Sequence, residues 1–182
     1  MTEVSVNEGD PRDPIVVFTT GGTIDKNYFD ALSQYQIEGT VVSRLLQVAG
    51  VTHPYHLIEV LHKDSIDMTD EDRALLVKHI REVKYGRVVI THGTDTMDKT
   101  ALTIAAHTDK TVVLTGALSP ARFIESDAAF NLGMAFATAQ VASPGVYIAM
   151  NGTVFPGDEA VKDRQRGFLR KPSPATGHSP AK

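Results

Sequence analysis

Hydrophobic and polar positions along the chain alternate between two periods. Five short runs, Ile15–Thr20, His56–His62, Arg87–Thr91, Lys110–Gly116 and Gly145–Met150, are mostly rich in Val, Ile and Leu at successive positions rather than at every second one. Strands of that kind are covered on both faces. Helical spacing fills the stretches between them. Thr40–Val48 places Val41, Leu45 and Val48 on one face. Thr69–Val83 opens with Thr69 as N-cap and an acidic first turn, Asp70-Glu71-Asp72, then spaces Leu75, Leu76, His79, Ile80 and Val83 three and four apart. Ser126–Val141 is Ala-rich and suited to close packing on a sheet. Alternating units of this kind predict an α/β fold: a doubly wound, mainly parallel sheet with helices on both faces, in a single domain. Ligands of such sheets bind beyond the carboxyl ends of the strands. The domain is expected over 15–169, between a flexible polar segment (1–14) and a Pro- and Ser-rich tail (170–182) whose composition predicts disorder.

Composition narrows the function classes. The 182 residues fit one domain, and the net charge of −4 argues against nucleic acid as a partner, because counterion release needs a concentrated basic surface. No stretch approaches the ~20 apolar residues that span a bilayer. The segment Met1–Pro14 has neither a basic start nor an apolar centre, so no secretory signal is expected. Cysteine is absent, which removes disulfides and thiolate chemistry and leaves the cytoplasm as the expected compartment. His53, His56 and His62 lack the acidic partners of a zinc site, so no metal or cofactor is expected. Lys78, Arg81, Lys84 and Arg87 read as a solvated helix face.

Two Thr-containing turns carry the candidate chemistry. Thr19-Thr20-Gly21-Gly22-Thr23-Ile24-Asp25 follows the first apolar run, and Thr91-His92-Gly93-Thr94-Asp95-Thr96-Met97 follows the third. Gly21-Gly22 allows a tight turn that leaves Thr23 exposed. The same turn also serves as a plain strand-to-loop connection capped by Thr23. A phosphate cradle is disfavoured, since neither G-x-G-x-x-G nor G-x-x-x-x-G-K-[ST] is present. The stretch from Thr23 to Gly39 is long for an element-free connection, which favours a lid; it holds Tyr28 and Tyr35, either of which is placed to hydrogen-bond the Thr23 hydroxyl or to pack as an anchor. Thr94-Asp95 reads as an N-cap pair for a helix over Thr96–Ala106, or as part of a nucleophile-activating set. In the second case the base is a Lys whose pKa falls from ~10.4 towards ~7–8, and Lys162 is the candidate. His92 is expected to buttress the turn.

These residues resemble the bacterial L-asparaginase family. Thr20-Gly21-Gly22-Thr23-Ile24 matches its T-G-G-T-I signature, and Val89 to Met97 matches V-I-T-H-G-T-D-T-M. Asp64-Ser65-Ile66-Asp67-Met68 is similar to its S-x-D-M substrate loop. Gly116-Ala117-Leu118-Ser119-Pro120 and Ser126 to Leu132 are similar to its G-A-M-R-P and A-D-G-x-x-N-L stretches, and Lys162 fits its triad lysine. The resemblance covers Ile15 to Lys162.

What it implies is a two-step amide hydrolysis of L-asparagine, with L-glutamine a weaker substrate. Thr23 is the implied nucleophile, assisted by Tyr28 or Tyr35; Tyr35 fits the family's S-x-Y pattern, while Tyr28 lies nearer Thr23 in sequence. Thr94, Asp95 and Lys162 are the implied second triad, with the Thr94 N–H near the developing oxyanion. Ser65 would hold the substrate α-carboxylate and Asp95 its α-ammonium, with Gly22, Ile66, Gly93, Thr94 and Ala117 also lining the substrate. Ile66 stands where family members often carry Gln, which removes a side-chain contact, and Leu118-Ser119 replaces Met-Arg. The chain is similar to short members without the second domain, so a homo-oligomer (dimer or tetramer) is expected to close the site. The rival readings are a glutaminase-leaning amidase, an amidotransferase subunit, and a non-catalytic amino-acid-binding module.

Overall fold

A computed structural model describes residues 3–6, 12–29, 34–37, 40–163 and 168–171. Its centre is a seven-stranded sheet with the order β1-β5-β2-β6-β7-β8-β9, where β1 is Glu3–Val6, β2 Ile15–Gly21, β5 Tyr55–Lys63, β6 Arg87–Thr91, β7 Thr111–Thr115, β8 Gly145–Met150 and β9 Thr153–Pro156. The run from β5 to β8 is parallel throughout, and only the edge strands β1 and β9 pair antiparallel. All five apolar runs are therefore strands, with ends within a residue of those expected. Val, Ile and Leu fill both faces because both are covered. Phe18, Val88, Ile90, Val112, Leu114 and Ile148 pack beneath α2 (Asp70–Glu82) and α3 (Met97–Ala105). Ile15, Val17, Val89 and Val113 pack beneath α1 (Val42–Val48) and α4 (Ala128–Val141).

Helix starts are displaced where a cap is used for something else. The α1 helix begins at Val42 rather than Thr40, because the Val41 N–H donates to the Asp25 carboxylate and Thr40 Oγ1 accepts from the Val42 N–H. The α4 helix begins at Ala128 because Asp127 turns its carboxylate back to the Leu118 and Ser119 N–H groups. The start of α2 agrees with expectation: Thr69 and Asp72 form a reciprocal capping box.

Three features depart from the sequence pattern. Glu3–Val6, inside the segment expected to be a tail, pairs with β5. The connection after Thr23 is not element-free: β3 (Lys26–Phe29) and β4 (Gln34–Ile37) form an antiparallel hairpin within it. A second ribbon joins β10 (Val161–Asp163) to β11 (Phe168–Arg170), so the ordered chain runs into the segment expected as a C-terminal tail; residues 172–182 of that segment lie outside the described residues. The chain leaves β2 for β5 on one side and then returns to β6 on the other. The strand order therefore reverses between β2 and β6, and the carboxyl ends of strands at such a reversal are where sheets of this kind bind ligands.

Candidate active site

Both Thr turns meet at this reversal. Gly21 and Gly22 adopt φ of 92° and 82°, a region costly for any residue with a Cβ. A Cβ on Gly22 would also lie 2.5 Å from the Gly93 nitrogen, so the turns touch only because no side chain intervenes. The Thr20 hydroxyl donates to the Thr91 carbonyl at 2.9 Å, and the Gly22 N–H donates to the Lys63 carbonyl at 3.0 Å. Thr23 then opens one turn of 3₁₀ helix, Thr23–Asp25, and is partly exposed beside the second motif. Asp25 closes that turn and is buried. Burial pushes its pKa up to about 6, against the lowering effect of the Val41 N–H and the Thr40 hydroxyl; nearby Glu59 raises it further and His62 opposes that.

In the second turn Thr94 and Asp95 converge with Lys162. The Lys162 Nζ lies 2.6 Å from Thr94 Oγ1 and 3.7 Å from Asp95 Oδ1, and only 8% of its side chain is exposed. The β10–β11 ribbon brings it there, with Leu169, its register partner, sunk into the core. Thr94 and Asp95 are accordingly not a capping pair for α3. Thr96 holds the N-cap position without a side-chain cap bond, and its hydroxyl donates to the Ser65 carbonyl at 2.7 Å.

Ser65 joins the two turns from a third side. Fully buried, its hydroxyl oxygen accepts from the Asp95 N–H at 3.2 Å and sits where a Gly93 Cβ would fall. Ile66 is 69% exposed and turned to solvent. Ala117 is buried at the end of β7, and the loop after it is held by Asp127. Asn131 ties this loop down, donating to the Gly116 carbonyl at 3.0 Å and accepting from the Asn151 N–H at 2.9 Å. The Ala121 N–H in turn donates to the Ile24 carbonyl, linking the loop to the Thr23 turn.

Thr23, Ser65, Thr94, Asp95 and Lys162 are thus gathered around the Gly22–Gly93 contact. Tyr28 and Tyr35 lie on the hairpin as direct register partners. Beneath the second turn His92 is fully buried, its Nδ1 2.6 Å from the Gly93 carbonyl and its Nε2 2.9 Å from Thr100 Oγ1. Burial pushes its pKa down to about 4, so the ring is neutral and acts as a buttress, as expected. Arg73 and Thr100 below it belong to no motif, and only the tertiary packing of α2 on α3 places them there.

The family model for the asparaginase N-terminal domain matches residues 14–176. The chain belongs to the asparaginase family. Among curated relatives, L-asparaginase 2 of Escherichia coli K12 is 35% identical over 81% of this chain and 46% of its own, and the glutaminase-asparaginase of Acinetobacter glutaminasificans is 30% identical over 83% and 50%. The solved structure of the thermostable L-asparaginase from Thermococcus kodakarensis superposes with a TM-score of 0.77 at 27% identity, covering 87% of this chain and 51% of that one. The chain spans about half the length of the asparaginases it matches.

Proposed function

We propose that this chain is an L-asparagine amidohydrolase acting through a threonine acyl-enzyme. The observation that carries the reading is the 2.6 Å contact of Lys162 with Thr94 beside Asp95, on a turn packed glycine to glycine against that of Thr23. Protonated, the ammonium donates to the Thr94 hydroxyl; once it has lost a proton it accepts the hydroxyl hydrogen instead, which makes the pair a proton relay. Thr23 Oγ1 bonds to the side-chain amide carbon, its proton passing to the departing nitrogen with help from Tyr28 or Tyr35. The C–N bond breaks, ammonia leaves, and water attacks the ester, freeing aspartate and restoring the hydroxyl. The Thr94 N–H stabilises the oxyanion of each step, a contribution typically worth ~10²–10³ in rate. Ser65 and Asp95 hold the substrate α-carboxylate and α-ammonium, Ala117 and the backbone of Gly22 and Gly93 complete the wall, and no cofactor is needed.

Glutamine is the weaker substrate in this reading; the relative named glutaminase-asparaginase favours including it. In this reading a homo-oligomer supplies the closure that excludes water during the chemistry. A cytoplasmic location is part of the same reading, in line with a structural neighbour titled a probable cytoplasmic L-asparaginase from Campylobacter jejuni. The test is ammonia release from asparagine and glutamine by the purified chain and by Thr23→Ala and Lys162→Ala. The reading expects turnover of asparagine that both substitutions abolish with the fold retained. Asparagine binding without ammonia release would replace it with that of an amino-acid-binding module.

A further inference from the structure

Below the Thr94 turn runs a chain of buried polar groups whose hydrogens have one possible arrangement. Arg73 Nε donates to Thr100 Oγ1 at 3.2 Å, Thr100 Oγ1 lies 2.9 Å from His92 Nε2, and His92 Nδ1 lies 2.6 Å from the Gly93 carbonyl. Arg73, Thr100 and His92 are each at least nine-tenths buried. Both ends of the chain are fixed by chemistry. A guanidinium only donates and a carbonyl only accepts. The Gly93 carbonyl therefore requires the hydrogen on Nδ1 of the neutral ring, Nε2 is left as acceptor, and the Thr100 hydroxyl must donate to it. Every donor points from Arg73 towards Gly93. Arg73 is itself held by the Met68 carbonyl and Asp70, both at 3.1 Å.

We propose that Arg73 and Thr100 are positioning residues for the hydrolysis, acting through His92 to orient and polarise the Gly93–Thr94 peptide so that the Thr94 N–H is held as the oxyanion donor. The carbonyl of Gly93 and the N–H of Thr94 are the two ends of one peptide dipole. A strong donor on the first end strengthens the second, and successive hydrogen bonds polarise one another. The other side of Gly93 is closed by Ser65, whose hydroxyl fills the space a Cβ would need, so the peptide is gripped from both sides. The inference rests on the amidohydrolase reading, and it gives α2 and α3 a role in that site that no motif announces.

The experiment pairs steady-state ammonia release with ¹⁵N NMR of the His92 ring, on the full chain and on Thr100→Val, Thr100→Ser and Arg73→Lys. The wild-type ring is expected as the Nδ1–H tautomer. Thr100→Val is expected to lower kcat about tenfold with KM for asparagine changed by less than about twofold, a loss below the ~10²–10³ of removing an oxyanion donor outright. Thr100→Ser, which keeps the hydroxyl, restores kcat, and Arg73→Lys, which cannot reach Thr100 and Met68 together, loses it in the same manner. A folded Thr100→Val with wild-type kcat, or a wild-type ring carrying its hydrogen on Nε2, overturns the proposal. If Thr100→Val does not fold, wild-type kcat in Arg73→Lys overturns it equally. An intact chain that releases no ammonia but shows the Nδ1–H ring would refute the amidohydrolase reading, and with it the catalytic purpose of the chain of bonds, while leaving the bonds themselves in place.

Discussion

Lys162 reaches Thr94 across 68 residues of sequence, and its stem is buried where most lysines are solvated. Its amine is thus directed at one hydroxyl, and replacing it tests the reading without opening a large cavity. Lys162→Met keeps most of the stem and removes the amine. Ammonia release from asparagine is expected to fall at least about 100-fold, within the range that loss of a positioned acid or base costs. A melting curve close to that of the wild type would show that the site, rather than the fold, was lost. The glycine contact gives a second prediction of a different kind. Gly22→Ala meets both a positive φ and the Gly93 backbone at 2.5 Å, so the two turns must separate. Turnover is expected to vanish and the protein to lose on the order of 2 kcal/mol in urea unfolding, since the penalty combines backbone strain with a broken packing contact. Thr23, Ser65, Thr94 and Asp95 are candidates that the sequence itself offers, because their flanking residues form specific signatures, whereas Lys162 is a candidate by its position alone. Arg73 and Thr100 were not legible there, because their chemistry comes from a contact between two helices whose spacing along the chain, 27 residues, has no local meaning.

Elements were legible where burial alone dictates them. Runs such as Val88-Val89-Ile90 and Val112-Val113-Leu114 have no polar face to expose, so they can only be inner strands of a covered sheet. The short strands β3, β4, β9, β10 and β11 are three or four residues long, and their pairing is fixed by tertiary contacts rather than by their own composition. The lid expectation after Thr23 accordingly resolves into a hairpin. Its stem is tied by Asp25 to Val41 and by a 2.6 Å ion pair between Lys26 and Asp64, the residue preceding Ser65. The best-formed local device is the capping box of α2, where Thr69 Oγ1 accepts from the Asp72 N–H and Asp72 accepts from the Thr69 N–H. Asp72 also takes the Lys63 ammonium at 2.8 Å, so the cap fastens α2 to the end of β5. Thr69→Ala is expected to cost about 1 kcal/mol in urea unfolding, the usual worth of an N-cap hydroxyl, with kcat unchanged because the cap lies away from the reacting atoms.

Across the whole molecule, two buried groups on either side of the sheet give opposite pH dependences over nearly the same window. His92 has its pKa pushed down from 6.5 to about 4, so between those values the unfolded chain binds the extra proton and stability falls as the pH is lowered. Asp25 has its pKa pushed up from 3.8 to about 6, so between those values the folded chain binds the extra proton and stability falls as the pH is raised. Each shift corresponds to roughly 3 kcal/mol at 1.36 kcal/mol per pKa unit, and the two largely cancel between pH 4 and 6. Asp25→Asn removes one side of this balance while keeping an acceptor for the Val41 N–H. The variant is expected to match the wild type near pH 4, where the aspartic acid is already mostly protonated in the fold. It should become progressively more stable than the wild type as the pH rises to 6.5, with the gap constant above that. Its own stability should fall steeply from pH 6.5 to 4, because the His92 term then stands unopposed. Urea unfolding of both proteins at pH 4.5, 5.5 and 7.5 measures the gap. A gap independent of pH would mean that Asp25 is ionised in the fold throughout and that the stem of the hairpin is held by a full carboxylate charge.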